Sequence, residues 1–152
     1  MNYQMKRTLL TLLFVFGLAT TSAFSQERKE YHIPGHEEVE NMIGYTHAIK
    51  VGNTLYISGT VDGQSADMEA QMKKIYQYVN ETLIHYGITP AAIVKENIYT
   101  TDIDEFKKHI PVRKAFYSGG TFPTSTWVQV ERLFIPQLKV EMEFVAVFKE
   151  GQ

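Results

Sequence analysis

Residues 139–148, KVEMEFVAVF, narrow the folding options more than any other part of this chain. The segment alternates as a β-strand does. Val140, Met142, Phe144, Ala146 and Phe148 fall on one face, and Glu141, Glu143, Val145 and Val147 on the other. The first face is wholly apolar and has to lie on a core. The second becomes apolar in its later half, which predicts cover on that side as well. Helices are expected over one face. The other needs a second covering surface, most simply a neighbouring subunit.

The rest of the chain supplies partners for that strand. Residues 45–50 and 54–61 flank Val51-Gly52-Asn53, whose glycine and asparagine suit a tight hairpin turn. In residues 66–86, Met68, Met72, Ile75, Val79, Leu83 and Tyr86 make one apolar helical stripe, with Ser65 or Asp67 to cap it and Gly87 to end it. Residues 93–100 read as a strand. A turn over 104–109 is followed by a helix from about Pro111, because proline suits a first helical turn and breaks an interior. Residues 126–132 form the penultimate strand. The order β-β-α-β-α-β-β predicts an α+β fold, a single mixed sheet with two helices packed on one face.

The first 25 residues stand apart. Lys6 and Arg7 precede an apolar run over 9–19, and Ala23 and Ser25 offer a small-residue cleavage site before Gln26. The run is too short to span a bilayer, so it reads as a secretory signal peptide, with no stable membrane anchor left after cleavage. Residues 26–42 are polar, carry Pro34-Gly35, and read as a tether. The domain is expected over 43–150, and the protein in the periplasm or outside the cell. Without the leader the chain has 13 Lys+Arg against 17 Asp+Glu, a formal charge of −4. That argues against a nucleic-acid partner held by phosphate neutralisation. The chain has no cysteine, which excludes disulfides, thiolate nucleophiles and cysteine–zinc sites. His32 and His36 are four apart, but Pro34-Gly35 lies between them, so no metal is expected.

The ordered set GYTHAIKVGNTLYISG (44–59), VKENIYTTDIDEF (94–106), FPTSTWVQVERL (122–133) and KVEMEFVAV (139–147) resembles the Rid family, the YjgF-like reactive-intermediate deaminases. The resemblance implies a chorismate-mutase-like fold and a homotrimer with small-molecule clefts between subunits. Deaminating members hydrolyse 2-imino acids there without metal or organic cofactor. An arginine fork would hold the substrate carboxylate, and a glutamate would position water.

Carried over residue by residue, the family's glutamate matches Glu141 and its tyrosine matches Tyr45. The substrate-binding arginine falls at Ser125, beside Thr126, and the asparagine framing the cleft falls at Ile110. A serine hydroxyl supplies neither a fork nor a charge. Arg113 and Arg132 are the arginines able to replace it, with Arg132 read as a structural ion-pair residue. Glu141 is thus the candidate catalytic group, and Tyr45, Ser125, Thr126 and Ile110 are the candidate ligand contacts. The expected function is an exported trimer binding a small metabolite without 2-imino-acid deamination. The alternatives are a Rid-type hydrolase of altered substrate and a regulatory or interaction trimer. The export reading has a direct check: mass spectrometry of the secreted or periplasmic protein should find Gln26 at the N-terminus, and a retained leader would refute it.

Overall fold

The computed structural model describes residues 27–118 and 120–149; the leader lies outside them. Six strands form one sheet: β1 (Arg28–Tyr31), β2 (Ala48–Val51), β3 (Thr54–Thr60), β4 (Ile93–Thr100), β5 (Thr124–Gln129) and β6 (Val140–Val147). Their spatial order is β1-β2-β3-β6-β4-β5. Only the β4–β5 pair is parallel. That pair needs a crossover, which α3 (Ile103–Lys108) and α4 (Ile110–Phe116) provide.

β6 lies between β3 and β4, so its backbone is bonded on both edges. Val140, Met142, Phe144 and Ala146 are buried under α2 (Met68–His85), whose Met68, Met72, Ile75, Val79 and Leu83 face them. Asp67 caps α2, accepting a bond of 2.8 Å from the Ala70 amide. The opposite face of β6 is only half-buried, and Tyr56 beside it is 52% exposed. The two faces therefore differ in a single chain: one is closed by helices and the other stays open.

Residues 26–42 do not form the plain tether expected of them. Arg28–Tyr31 pairs with β2, and α1 (Glu37–Ile43) follows. A buried carboxylate explains the departure. Glu40 is 1% exposed, lies against His32 Nδ1 at 2.5 Å, and accepts the amides of Ile33 and His47 at 3.2 and 3.1 Å. These bonds replace the water the carboxylate gives up. Gly44 ends α1 with φ 87°, a left-handed cap that few other residues adopt without strain.

His47 is buried where β2 begins. Its Nε2 lies 2.9 Å from Thr82 Oγ1, and that hydroxyl donates to the Tyr78 carbonyl. Nε2 must then be the donor, which a neutral imidazole satisfies. Burial pushes the His47 pKa down to about 4, against the opposing pull of Glu40. The unfolded histidine takes up its proton near 6.5, so between pH 6.5 and 4 the unfolded state binds more protons. Stability should fall as pH falls through that window, by up to about 1.4 kcal/mol per unit. Thermal melts should accordingly show a steeper loss in the natural chain than in His47→Gln, in which the other titrating groups are unchanged. Parallel slopes would exclude His47 as the cause.

Candidate functional site

The site begins with an irregularity in β3. Between the pairs Ile57–Phe144 and Thr60–Met142, β3 has two residues, Ser58 and Gly59, where β6 has only Glu143. This is a β-bulge. It changes the parity of the strand, so Ile57 and Thr60 both point into the core although three positions apart. Ser58 Oγ donates to the Thr46 carbonyl at 2.7 Å, tying the bulge to the segment before β2. Gly59 lies against the Glu141 side chain. A methyl group built on it would come within 2.9 Å of Glu141 Cδ, so the bulge makes room for this carboxylate.

Glu141 faces a cavity of about 460 Å³. Tyr45, Ser58 and Gly59 share that cavity. Its remaining wall is mostly apolar: Val39 and Ile43 from α1, and Phe134, Ile135 and Leu138 from the loop before β6. Glu141 has no hydrogen-bond partner among the described residues. Its neighbour Glu143 differs, accepting from Asn97 Nδ2 at 2.5 Å and from Tyr99 Oη at 3.2 Å. Burial, with a smaller contribution from Glu143, raises the Glu141 pKa above the usual carboxylate value. Tyr45 is raised too, by burial first and then by Glu40 and Glu141. A half-buried carboxylate with free lone pairs at an apolar wall is equipped to orient water or exchange a proton.

Glu40 also sets the site's geometry. Its main-chain carbonyl accepts the amides of Gly44 and Tyr45 at 2.8 and 3.1 Å, fixing the turn that presents the tyrosine. Sequence reading missed this wall. A signal was available, since Val39 and Ile43 are four apart and Gly44 stands at a helix-ending position.

The other expected contacts lie elsewhere in the chain. Ser125 and Thr126 are on β5, separated from β6 by β4. Ser125 Oγ donates to Glu96 Oε1 at 2.7 Å, and alternation puts Thr126 on the other face, opposite Asn97. Ile110 opens α4 and is half-buried. A single chain therefore joins Tyr45 to Glu141 and keeps Ser125, Thr126 and Ile110 apart from them.

Ser125 belongs to a cluster that sequence reading did not find. Glu96 is 0% exposed on the inward stripe of β4 and receives Arg113 Nε, Tyr117 Oη and Ser125 Oγ at 2.6, 2.6 and 2.7 Å. Trp127 Nε1 donates to Ser125 Oγ at 2.6 Å. Arg113, not Arg132, is thus the arginine in a structural ion pair. Arg132 is exposed and has no ion pair among the described residues. The available sign was a carboxylate sharing the inward stripe of Ile98 and Thr100, which requires a buried donor.

The family model described as Endoribonuclease L-PSP matches residues 36–148. A RutC family protein of Pyrococcus abyssi is 30% identical over 122 residues, covering 75% of this chain and 94% of that protein. The 2-iminobutanoate/2-iminopropanoate deaminase of Escherichia coli strain K12 is 27% identical over 111 residues, covering 68% of this chain and 86% of the enzyme. Among solved structures, a member of the YjgF/YER057c/UK114 family from Mycobacterium tuberculosis superposes with TM-score 0.72 at 28% identity, covering 80% of this chain and 99% of that one. Gly59→Ala tests the site directly. It should preserve the circular dichroism spectrum and displace the Glu141 carboxylate, returning its pKa, followed by NMR, toward the ordinary value. A Glu141 titration like that of the natural chain would contradict the packing described.

Proposed function

The chain belongs to the Endoribonuclease L-PSP family, that of the YjgF and RidA proteins, and from this premise we propose that it binds a small metabolite at the Glu141 cavity without 2-imino-acid deamination. The observation that carries the reading is a pair of contrasting polar groups. Glu141 is unpartnered among the described residues and lies beside an apolar wall, whereas Ser125, at the position of the family's arginine, is bonded to Glu96. A carboxylate substrate would meet no guanidinium at residue 125. Removing a charged partner of that kind from a desolvated site costs roughly a few kcal/mol of binding.

The ligand is then a molecule with an apolar body, seated against Val39, Ile43 and Phe134, and a polar group facing Tyr45 and Glu141. The half-open face of the sheet suits cover by a neighbouring copy, and in the homotrimer that the family resemblance implies, β5 of one copy would complete the cavity of the next. The basic, short apolar leader supports export to the periplasm or medium.

A second reading rests on the free lone pairs of Glu141, which suit a hydrolase acting on an uncharged imine or enamine. Glu141 would orient water for addition to the C=N carbon while the nitrogen takes a proton. Collapse of that adduct breaks the C–N bond and leaves a carbonyl compound and an amine or ammonia.

Two measurements separate these readings. With 2-iminobutanoate generated in situ, hydrolysis should not exceed the uncatalysed rate; turnover like that of the deaminating relatives would overturn the proposal. If an uncharged imine is hydrolysed, Glu141→Gln should abolish that activity without changing the sedimentation of the assembly, and an active variant would remove Glu141 from the chemistry.

A further inference from the structure

The cluster around Glu96 bears on what the β5 side of the cleft accepts. Arg113 carries its guanidinium beneath the rings of Tyr117, Phe122 and Trp127, with Cζ 5.1, 5.6 and 5.6 Å from their centroids. Its side chain is 8% exposed. Only Nε is bonded to Glu96, and the two Nη atoms have no acceptor among the described residues. A fork of donors is therefore held beside Ser125, with its charge already balanced.

That balance decides the ligand class. Glu96 is fully buried, and its carboxylate accepts from three donors, Arg113 and Ser125 on Oε1 and Tyr117 on Oε2. An incoming carboxylate on the Nη atoms would place a second negative charge across one guanidinium that Glu96 already balances, leaving the cluster with an excess charge. A neutral acceptor would satisfy the same donors and leave the cluster uncharged. The Nη atoms are not enclosed, so a neutral acceptor would take the place of water on them without adding charge to the cluster.

We infer that the Glu96–Arg113 pair makes the β5 side of the cleft a recognition site for a neutral hydrogen-bond acceptor, such as an amide carbonyl, and selects against a free carboxylate. The inference rests on the proposed small-molecule cleft and names the class of its ligand. Arg113 is the binding group, and Glu96 acts through it.

Trp127 is the sole tryptophan of the chain and donates to Ser125, so its indole N–H resonance reports on this cluster alone. The methyl resonances of Val39 and Ile43 report on the Glu141 cavity. Butanamide and butanoate have the same apolar tail and differ in charge. Titrated into the purified protein, butanamide should shift both sets of signals, and butanoate should bind at least about tenfold more weakly. Glu96→Gln frees the Arg113 charge and should reverse that order. If Glu96→Gln does not fold, Ser125→Arg asks the same question by adding a cation at the cluster, and should also favour butanoate.

Butanoate binding the natural chain as tightly as butanamide would overturn the inference. So would an unchanged order in the folded variant. If butanamide shifts the cavity methyls and leaves the indole unmoved, this inference fails and the cavity reading stands. If neither set responds, both fail.

Discussion

Everything in this molecule is arranged around β6, a strand bonded on both edges and required to serve two different surfaces. Its inward residues, Val140, Met142, Phe144 and Ala146, have a single solution, the apolar stripe of α2. Its outward residues begin with two carboxylates and end with two valines. The acidic end lies beside the bulge at Ser58 and Gly59, and the apolar end lies on the open face near Tyr56. One strand thus sets the core, the candidate chemistry and the surface that most needs a neighbour. The bulge reconciles these demands. Without the extra residue, β3 could not point Ile57 and Thr60 into the core and still leave Gly59 open to the Glu141 side chain.

Two glutamates on adjacent strands show how local surroundings divide labour between identical groups. Glu96 faces the helices, receives three donors, and gives up its freedom to hold Arg113. Glu141 faces the cavity with no donor among the described residues. Tyr117 marks the same division: burial and the Glu96 charge push its pKa well up, so the hydroxyl stays a donor to Glu96 at any ordinary pH. The first carboxylate is tied into the fold and the second is left open to the cavity, although both sit on neighbouring strands of one sheet.

The parts legible in the sequence were those with local periodicity. The stripe of α2 and the strand over 93–100 depend on spacing within a few residues, and the structure places them where spacing indicated. The turn expected over 104–109 is instead the helix Ile103–Lys108, capped by Asp102, with the interruption before Pro111 confined to His109. Family resemblance added Tyr45 and Glu141, which the fold brings to one cavity. What escaped was long-range or compensated. The polarity of residues 28–43 concealed a strand and a helix, because the fold supplies the buried Glu40 carboxylate with hydrogen bonds from groups on either side, His32, Ile33 and His47. The Arg113–Glu96 pair joins positions 17 apart in sequence, on a helix and a strand, and no periodicity links them. The bulge is a mismatch between strands and is absent from either strand read alone.

The added strand β1 also changes the rim of the sheet. Had the sheet ended at β2, its outer edge would present the largely apolar backbone run Ala48–Val51 to solution. β1 covers that run with Arg28, Lys29 and Glu30, three charged side chains of mixed sign on four residues. Further strands adding to this edge would have to desolvate those charges, a barrier to the edge-to-edge polymerisation that open sheets invite. The stretch that read as a passive lead-in therefore doubles as a guard against fibrillar self-association, and does so in a chain with no cysteine to staple the sheet closed.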